Sequence, residues 1–161
     1  MKELILIRHA KSSWEFNVDD RDRPLTKKGM GRIKKMILAE PKIFSSADVI
    51  YTSNSNRATH TTLIMVHNLL LPLEKVKITK ELYTFEISKL LNFIKNISDK
   101  YEKVICVGHN PAITEAIYYF SGNFLDYLPT SGWAKLEFKH HKWANIKEGN
   151  LTLGIPKKVL K

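Results

Sequence analysis

The sequence predicts an α/β fold, a three-layer α/β/α sandwich with a mostly parallel central sheet and an antiparallel edge strand. Two short apolar runs, Leu4 to Ile7 and Val104 to Val107, read as strands buried on both faces, as in a parallel sheet. Segments of helical period alternate with short β-branched runs, which is the order of βαβ units. Toward the C-terminus, Trp133-Ala134-Lys135-Leu136-Glu137-Phe138 alternates apolar and polar residues, as an edge strand with one face in water would.

The elements follow in order. A first strand near residues 3 to 8 runs into a polar loop, Lys11 to Arg23, that carries Ser12, Ser13 and Trp14. Thr26 is an N-cap for a helix in which Met30, Ile33 and Ile37 recur at helical spacing, and Pro41 marks its stop. Asp48-Val49-Ile50-Tyr51 is a short second strand that ends at Thr52-Ser53. The helix after it has Ala58, Thr62, Met65 and Leu69 on its inner face. Val76 to Thr79 is a weaker strand, and Ser88 to Ile97 a helix. After the strand at 104 to 107, Asn110 reads as an N-cap and Pro111 as a first-turn proline of a helix that Gly122 closes. Trp143 to Ile146 is the expected hairpin partner of the alternating strand, and the tail after Gly149 is left unassigned.

The 161 residues are expected to form one domain, 1–161, with a core that needs no disulfide or metal staple. No apolar stretch approaches the ~20 residues of a membrane span. Lys2 and Glu3 precede only four apolar residues before Arg8, which is a strand pattern and not a signal peptide. The lone Cys106 reads as a buried thiol in a reducing compartment, so the expected location is cytoplasmic. The net charge of +10 invites a nucleic-acid reading. The basic residues are dispersed as pairs such as Lys27-Lys28 and Lys157-Lys158, without an aromatic-interleaved RNA motif or zinc-finger spacing. A solvated lysine-rich surface that steers an anionic substrate accounts for them, and no nucleic-acid or membrane partner is expected.

Right-handed crossovers place the strand C-termini on one sheet edge, where α/β folds bind ligands. Arg8 and His9, residues 53 to 57, Glu81 to Tyr83, and His109 should converge there. Arg57 falls in the first turn of a predicted helix, where the macrodipole disfavours a cation unless an anion is shared with the backbone amides. Two arginines and two histidines make four nitrogen-rich donors without a carboxylate cluster, so an oxyanion such as phosphate is the natural guest. The surrounding charge favours neutral imidazole, which is a nucleophile for phosphorus.

These residues lie in motifs that resemble the histidine phosphatase superfamily, which includes phosphoglycerate mutases and acid phosphatases, and most of all its small SixA-like branch of phosphohistidine phosphatases. Arg8-His9-Ala10 resembles the RH[GA] signature, and Arg23-Pro24-Leu25-Thr26-Lys27-Lys28-Gly29 the RPLTxxG segment. Ser53 to Thr61 fits SxxxRAxxT, and Gly108-His109-Asn110-Pro111 fits GHNP. The ordered set spans residues 8 to 111.

The resemblance implies a phosphoglycerate mutase-like fold and phosphoryl transfer through a covalent phosphohistidine on His9. Arg8, Arg57 and His109 would bind the phosphoryl oxygens, Ser12 and Asn17 could add hydrogen bonds, and no metal or cofactor is implied. Glu15 stands where mutase-like members usually have asparagine, and the inserted segment that carries their general acid is missing. Glu81 is the candidate proton donor in its place. The expected substrate is phosphohistidine in proteins. A phosphatase for small phosphomonoesters (sugar or nucleotide phosphates) and a non-catalytic phosphate- or phosphoprotein-binding module are the alternatives.

Overall fold

The computed structural model describes residues 1–161. Its strands are β1 (Lys2–Arg8), β2 (Val49–Ser53), β3 (Val76–Thr79), β4 (Lys103–Gly108), β5 (Trp133–Phe138) and β6 (Asn150–Gly154). Its helices are α1 (Lys27–Ala39), α2 (Pro41–Ser45), α3 (Asn56–Leu69), α4 (Ile87–Lys95), α5 (Ala112–Ser121) and α6 (Pro156–Val159).

The strands form one sheet in the order β3-β2-β4-β1-β5-β6. β3, β2, β4 and β1 are parallel, whereas β5 runs antiparallel to both β1 and β6. Side chains alternate faces along a strand. Leu4 and Leu6 of β1, with Val104 and Cys106 of β4, therefore pack with α4 and α5. Ile5, Ile7, Ile105 and Val107 face the other way and pack with α1, α2 and α3. Both runs lack polar residues because each strand has a helical layer on either side, as the sequence predicts. No helix is long and apolar enough to cross a membrane.

Local signals account for several boundaries. Thr26 Oγ1 accepts from the Gly29 amide at 2.9 Å and starts α1. Gly29 also lets α1 approach the loop after β1, because a Cβ there would collide with the Lys11 carbonyl oxygen. Pro41 ends α1 and opens α2 at its first position. Gly122, at φ 73°, closes α5 with its amide on the Tyr118 carbonyl. Lys2 is fully buried, and its Nζ donates to the Asp99 and Tyr101 carbonyls at 2.6 and 3.0 Å. Those bonds fasten the start of the central strand.

Three expectations need correction. β5 is not the edge: β6 covers it, and only Lys135 and Glu137 are half-buried, 3.6 Å apart as an ion pair. Residues 143 to 145 are a 3-10 turn that plugs Trp143 into the core, so the hairpin partner is the tail strand β6. Gly154 sits opposite Trp133, whose indole would collide with a Cβ there. Asn110 is one residue too early to be the N-cap of α5. Its Oδ1 nonetheless accepts from the Thr114 amide at 3.2 Å, while Pro111 holds the cap position.

Candidate active site

β1 and β4 are neighbours in register, with Arg8 opposite Gly108, so the residues that follow each strand emerge side by side. The His9 amide donates to the Gly108 carbonyl at 3.2 Å, and the His9 and His109 rings lie 5.2 Å apart, centroid to centroid. β2 is the next strand over, and it delivers Ser53 and the start of α3 to the same edge. Ser55 caps α3 by accepting from the Ala58 amide, which places Arg57 in the first turn. Arg57, 2% exposed, bridges the histidines: its Nε donates to His9 Nε2 at 3.3 Å and its Nη2 to His109 Nδ1 at 3.4 Å.

The hydrogen bonds settle both tautomers. A carbonyl can only accept, so the 2.7 Å contact from His9 Nδ1 to the Ala10 oxygen puts the proton on Nδ1 and the lone pair on Nε2. Arg57 can only donate, so His109 Nδ1 is the acceptor and its Nε2–H donates to Ser53 Oγ at 2.9 Å. Burial, with the positive charges of Arg57 and Arg8, lowers the pKa of His9 to about 4 despite the Ala10 hydrogen bond. Burial, with His9 and Arg57, lowers that of His109 to about 3. Both rings are neutral at physiological pH. His9 lines a cleft of about 350 Å³, and its unprotonated Nε2 accepts from Arg57 there.

The cleft brings together Arg8, His9, Ser12, Arg57 and His109, five of the residues singled out from the sequence. Arg8 Nη1 donates to the Leu128 carbonyl at 3.0 Å, while its Nε is buried without a partner. Ser12 Oγ accepts from Arg23 Nη1 at 2.7 Å. Glu81 and Asn17 are not in the cleft. Glu81 is exposed and lines a separate groove with Ser88 and Lys89, because the 3-10 turn after β3 aims it away from the site. Asn17 is exposed on the loop after β1.

In sequence, residues 19–23 read as a charged surface loop that could also rim the pocket, with no role given to any one of them, and two of them complete the electrostatics. Arg23 is 7% exposed and stacks its guanidinium 3.5 Å over the exposed ring of Trp14. Asp20 reaches across the mouth. Its Oδ2 accepts from Arg57 Nη2 at 2.9 Å and from the Tyr83 hydroxyl at 2.5 Å, its Oδ1 from Arg23 Nε at 3.2 Å, and its backbone carbonyl from Arg57 Nη1 at 2.6 Å. Partial burial alone would raise the Asp20 pKa, but the Tyr83 and arginine contacts outweigh it and hold the carboxyl at about 2. Asp20 is therefore an ionised acceptor and not a proton donor at neutral pH. The only sequence signal for it was the run Asp19-Asp20-Arg21-Asp22-Arg23, which reads equally well as a charged surface loop.

Behind the site, Thr61 joins two walls. Its Oγ1 donates to the Arg57 carbonyl at 2.7 Å and accepts from the Ala10 amide at 2.9 Å. The last threonine of the SxxxRAxxT segment thus ties α3 to the peptide that orients His9.

Comparison with known proteins bears on the family and the fold. The sequence profile of the histidine phosphatase superfamily (branch 1) matches residues 4–87. An uncharacterised chloroplastic protein of Arabidopsis thaliana is 28% identical over 151 residues, which cover 88% of this chain and 69% of that protein. The structure of the protein histidine phosphatase SixA complexed with tungstate superposes with a TM-score of 0.80 at 18% identity, covering 99% of both chains. A mycobacterial glucosyl-3-phosphoglycerate phosphatase superposes with a TM-score of 0.68 at 11% identity, covering 96% of this chain and 98% of that one. At these identities the structural matches establish a shared fold.

Proposed function

The chain belongs to the histidine phosphatase superfamily (branch 1), and from that premise we propose that it is a phosphatase that passes a phosphoryl group through His9 to water, with phosphohistidine in proteins as its substrate. The observation that carries this reading is the Ala10 carbonyl on His9 Nδ1, which leaves Nε2 unprotonated on a ring that lines the cleft, with Arg57 Nε as the donor a substrate must displace from it.

In the first step Nε2 forms a bond to phosphorus while the bond from phosphorus to the leaving atom breaks, and the leaving atom keeps the electron pair and takes a proton from solvent water. In the second, water attacks phosphorus, the N–P bond breaks, the electron pair returns to Nε2, and phosphate leaves with the proton released. Arg8 and Arg57 hold the phosphoryl oxygens, Ser12 stands where it can add a hydrogen bond, and His109, whose one N–H goes to Ser53 Oγ, positions Arg57 through its Nδ1. Preorganised donors of this kind stabilise charge that grows in the transition state. Developing imidazolium on His9 leans on the Ala10 carbonyl. The reaction as written uses no cofactor.

Two observations support a phosphoramidate on a protein over a small phosphoester. The one carboxylate that lines the cleft, Asp20, is held ionised by Tyr83 and two arginines, so no carboxylic acid there can protonate a poor alkoxide leaving group. An imidazole leaves readily once protonated and needs less help. The cleft rim also continues, at Asn110, into an open groove of about 850 Å³ along α5 that exposes Tyr118, Phe124 and Tyr127. That surface suits a phosphoryl group presented on another protein.

The test is a side-by-side assay of a phosphohistidine protein against a panel of sugar, nucleotide and aryl phosphates, with wild type and His9→Ala. Faster turnover of phosphohistidine, lost in the variant, with a phosphoenzyme retained by alkaline quench, is the expected result. Normal turnover by His9→Ala removes the mechanism. Preference for the phosphomonoesters moves the substrate to small molecules, and binding without any hydrolysis makes the chain a phosphate-binding module.

A further inference from the structure

A second cavity, of about 570 Å³, opens from the catalytic cleft and shares Arg8, Lys11 and Thr130 with it. Arg32 from α1 and Lys157 from α6 line its far side. Four cations thus face one space, no acidic residue lines it, and none of the four enters an ion pair. The catalytic cleft differs in this respect, because Asp20 compensates Arg57 and Arg23 there. Like charges gathered around a concave surface focus a positive potential, and with no acid among the lining residues that potential is satisfied only by solvent ions or by a ligand.

One wall of the cavity is fixed by backbone hydrogen bonds, with Lys11 and Lys157 exposed around it. Ser131, at φ 65°, donates its amide to the Arg8 and His9 carbonyls at 3.1 and 3.2 Å. The Gly132 amide donates to the Pro129 carbonyl at 2.9 Å. Those bonds hold the 127–132 loop against the end of β1, so Thr130 forms a fixed wall between the two spaces. Tyr127, Pro129 and Leu160 give the cavity an apolar lining that can carry the uncharged part of a ligand.

We propose that this cavity is a second anion subsite, and that the preferred substrate bears another carboxylate or phosphate group beside the phosphoryl group that reaches His9. The inference rests on the phosphatase reading for the word substrate, but anion binding in the cavity does not depend on turnover. The chemistry fits two sources: an acidic side chain flanking the phosphorylated residue of a protein, or a second anionic group on a small molecule. Arg32 and Lys157 are specificity residues in this scheme. They lie away from His9 and leave the phosphoryl pocket itself intact.

The experiment is calorimetric binding of non-hydrolysable alkylphosphonates that end either in a carboxylate or in a methyl group, in a series of chain lengths. Wild type is expected to bind the carboxylate-ended compound about tenfold more tightly at a favoured length, with the preference shrinking at high salt. The double variant Arg32→Ala, Lys157→Ala should lose that preference and bind the methyl-ended compounds within about twofold of wild type. A parallel arm competes phosphopeptides with Glu or Ala flanking the phosphorylated residue, and small bisphosphates, against the same probe. Tighter competition by the Glu peptides points to protein substrates, and by the bisphosphates to small ones. Equal affinity for both phosphonates at every length, or a preference unchanged in the double variant, overturns the proposal. Because the readout is binding, a failure to hydrolyse any phosphate would overturn the catalytic reading separately.

Discussion

Asp20 Oδ2 lies 2.9 Å from Arg57 Nη2, so the guanidinium proposed to receive a phosphoryl oxygen already holds a carboxylate. The 3-10 turn that carries Asp20 buries no residue of its own. It is held at the mouth by Asp20's contacts to Arg57, Arg23 and Tyr83 and by Asn56 Nδ2, which donates to the Asp22 carbonyl at 3.1 Å. An incoming oxyanion therefore competes with Asp20 for Arg57.

Asp20→Asn keeps the shape and removes the competing charge. Vanadate inhibition of the variant is expected to strengthen about tenfold, or about 1.4 kcal/mol, just under the 1.5–3 kcal/mol typical of a hydrogen bond to a charged group. Inhibition assays at fixed ionic strength measure this. Weaker inhibition would mean that Asp20 supports Arg57 in its binding pose and does not oppose the ligand.

Arg57→Ala removes the bridge between the two imidazoles. Turnover should fall by roughly 100-fold or more, the usual loss when a preorganised donor to a transition-state oxyanion is deleted. Arg57→Lys should recover little, because an ammonium lacks the planar fork that reaches His9 Nε2, His109 Nδ1 and Asp20 together. Steady-state kinetics on an aryl phosphate, with vanadate inhibition alongside, distinguish lost chemistry from lost binding.

Thr61→Val deletes one hydroxyl at nearly constant volume. The Ala10 amide then loses its acceptor inside the protein, at an expected cost of about 1–3 kcal/mol in urea unfolding. Turnover should fall as well, because the Ala10 carbonyl that selects the His9 tautomer is no longer braced. Thr61→Ser should restore both. A variant with lower stability but wild-type turnover would show that Thr61 supports the fold alone.

The two histidines predict how stability depends on pH. Their folded pKa values, about 4 and about 3, lie below the ordinary 6.5, so between those limits the unfolded chain binds more protons than the folded one. Stability from this source is complete above pH 6.5 and is lost as pH falls toward 4 and below. Asp20 acts lower still: its carboxyl, held at about 2, adds stability that fades only as pH drops from about 4 through 2. Thermal melts from pH 7.5 to 4.5 should show a steady fall in Tm, flattened in His109→Gln. A Tm constant over that range would mean that the imidazoles titrate in the folded protein as they do in the unfolded chain. For the same reason, the acid limb of kcat/KM from His9 should lie near pH 4 and not near 6.5.

Much of this site could be read along the chain because its parts sit at positions with local signatures. His9 and His109 end unbroken apolar runs, and a run of that kind has few places to go except the middle of a parallel sheet. Arg57 follows the end of a short strand and precedes residues of helical period, so its place in a first turn was legible. Glu81 was misassigned for a related reason. The end of β3 does reach the correct sheet edge, but β3 is the outermost strand, and the turn after it sends Glu81 outward while Tyr83 turns in to Asp20. The edge position assigned to β5 failed because β6 carries no alternation strong enough to announce it. Its pattern shows in the contact of Gly154 with Trp133, a pairing across the sheet.

From composition and periodicity alone, the chain determined its layers, the strands buried on both faces, the cap that starts α1, and which four nitrogen-bearing side chains would meet. These features depend on neighbours within a few residues or on a burial pattern repeated along one strand. Only the tertiary structure decided the protonation of the imidazoles, the placement of Asp20 across Arg57, and the joining of a basic cavity to the cleft. Each of those depends on distances between residues dozens of positions apart: His109 to Ser53, Asp20 to Tyr83, Arg32 to Lys157. Hydrogen bonds and Coulomb forces act over a few ångströms, and sequence separation does not encode which loops the fold will bring that close.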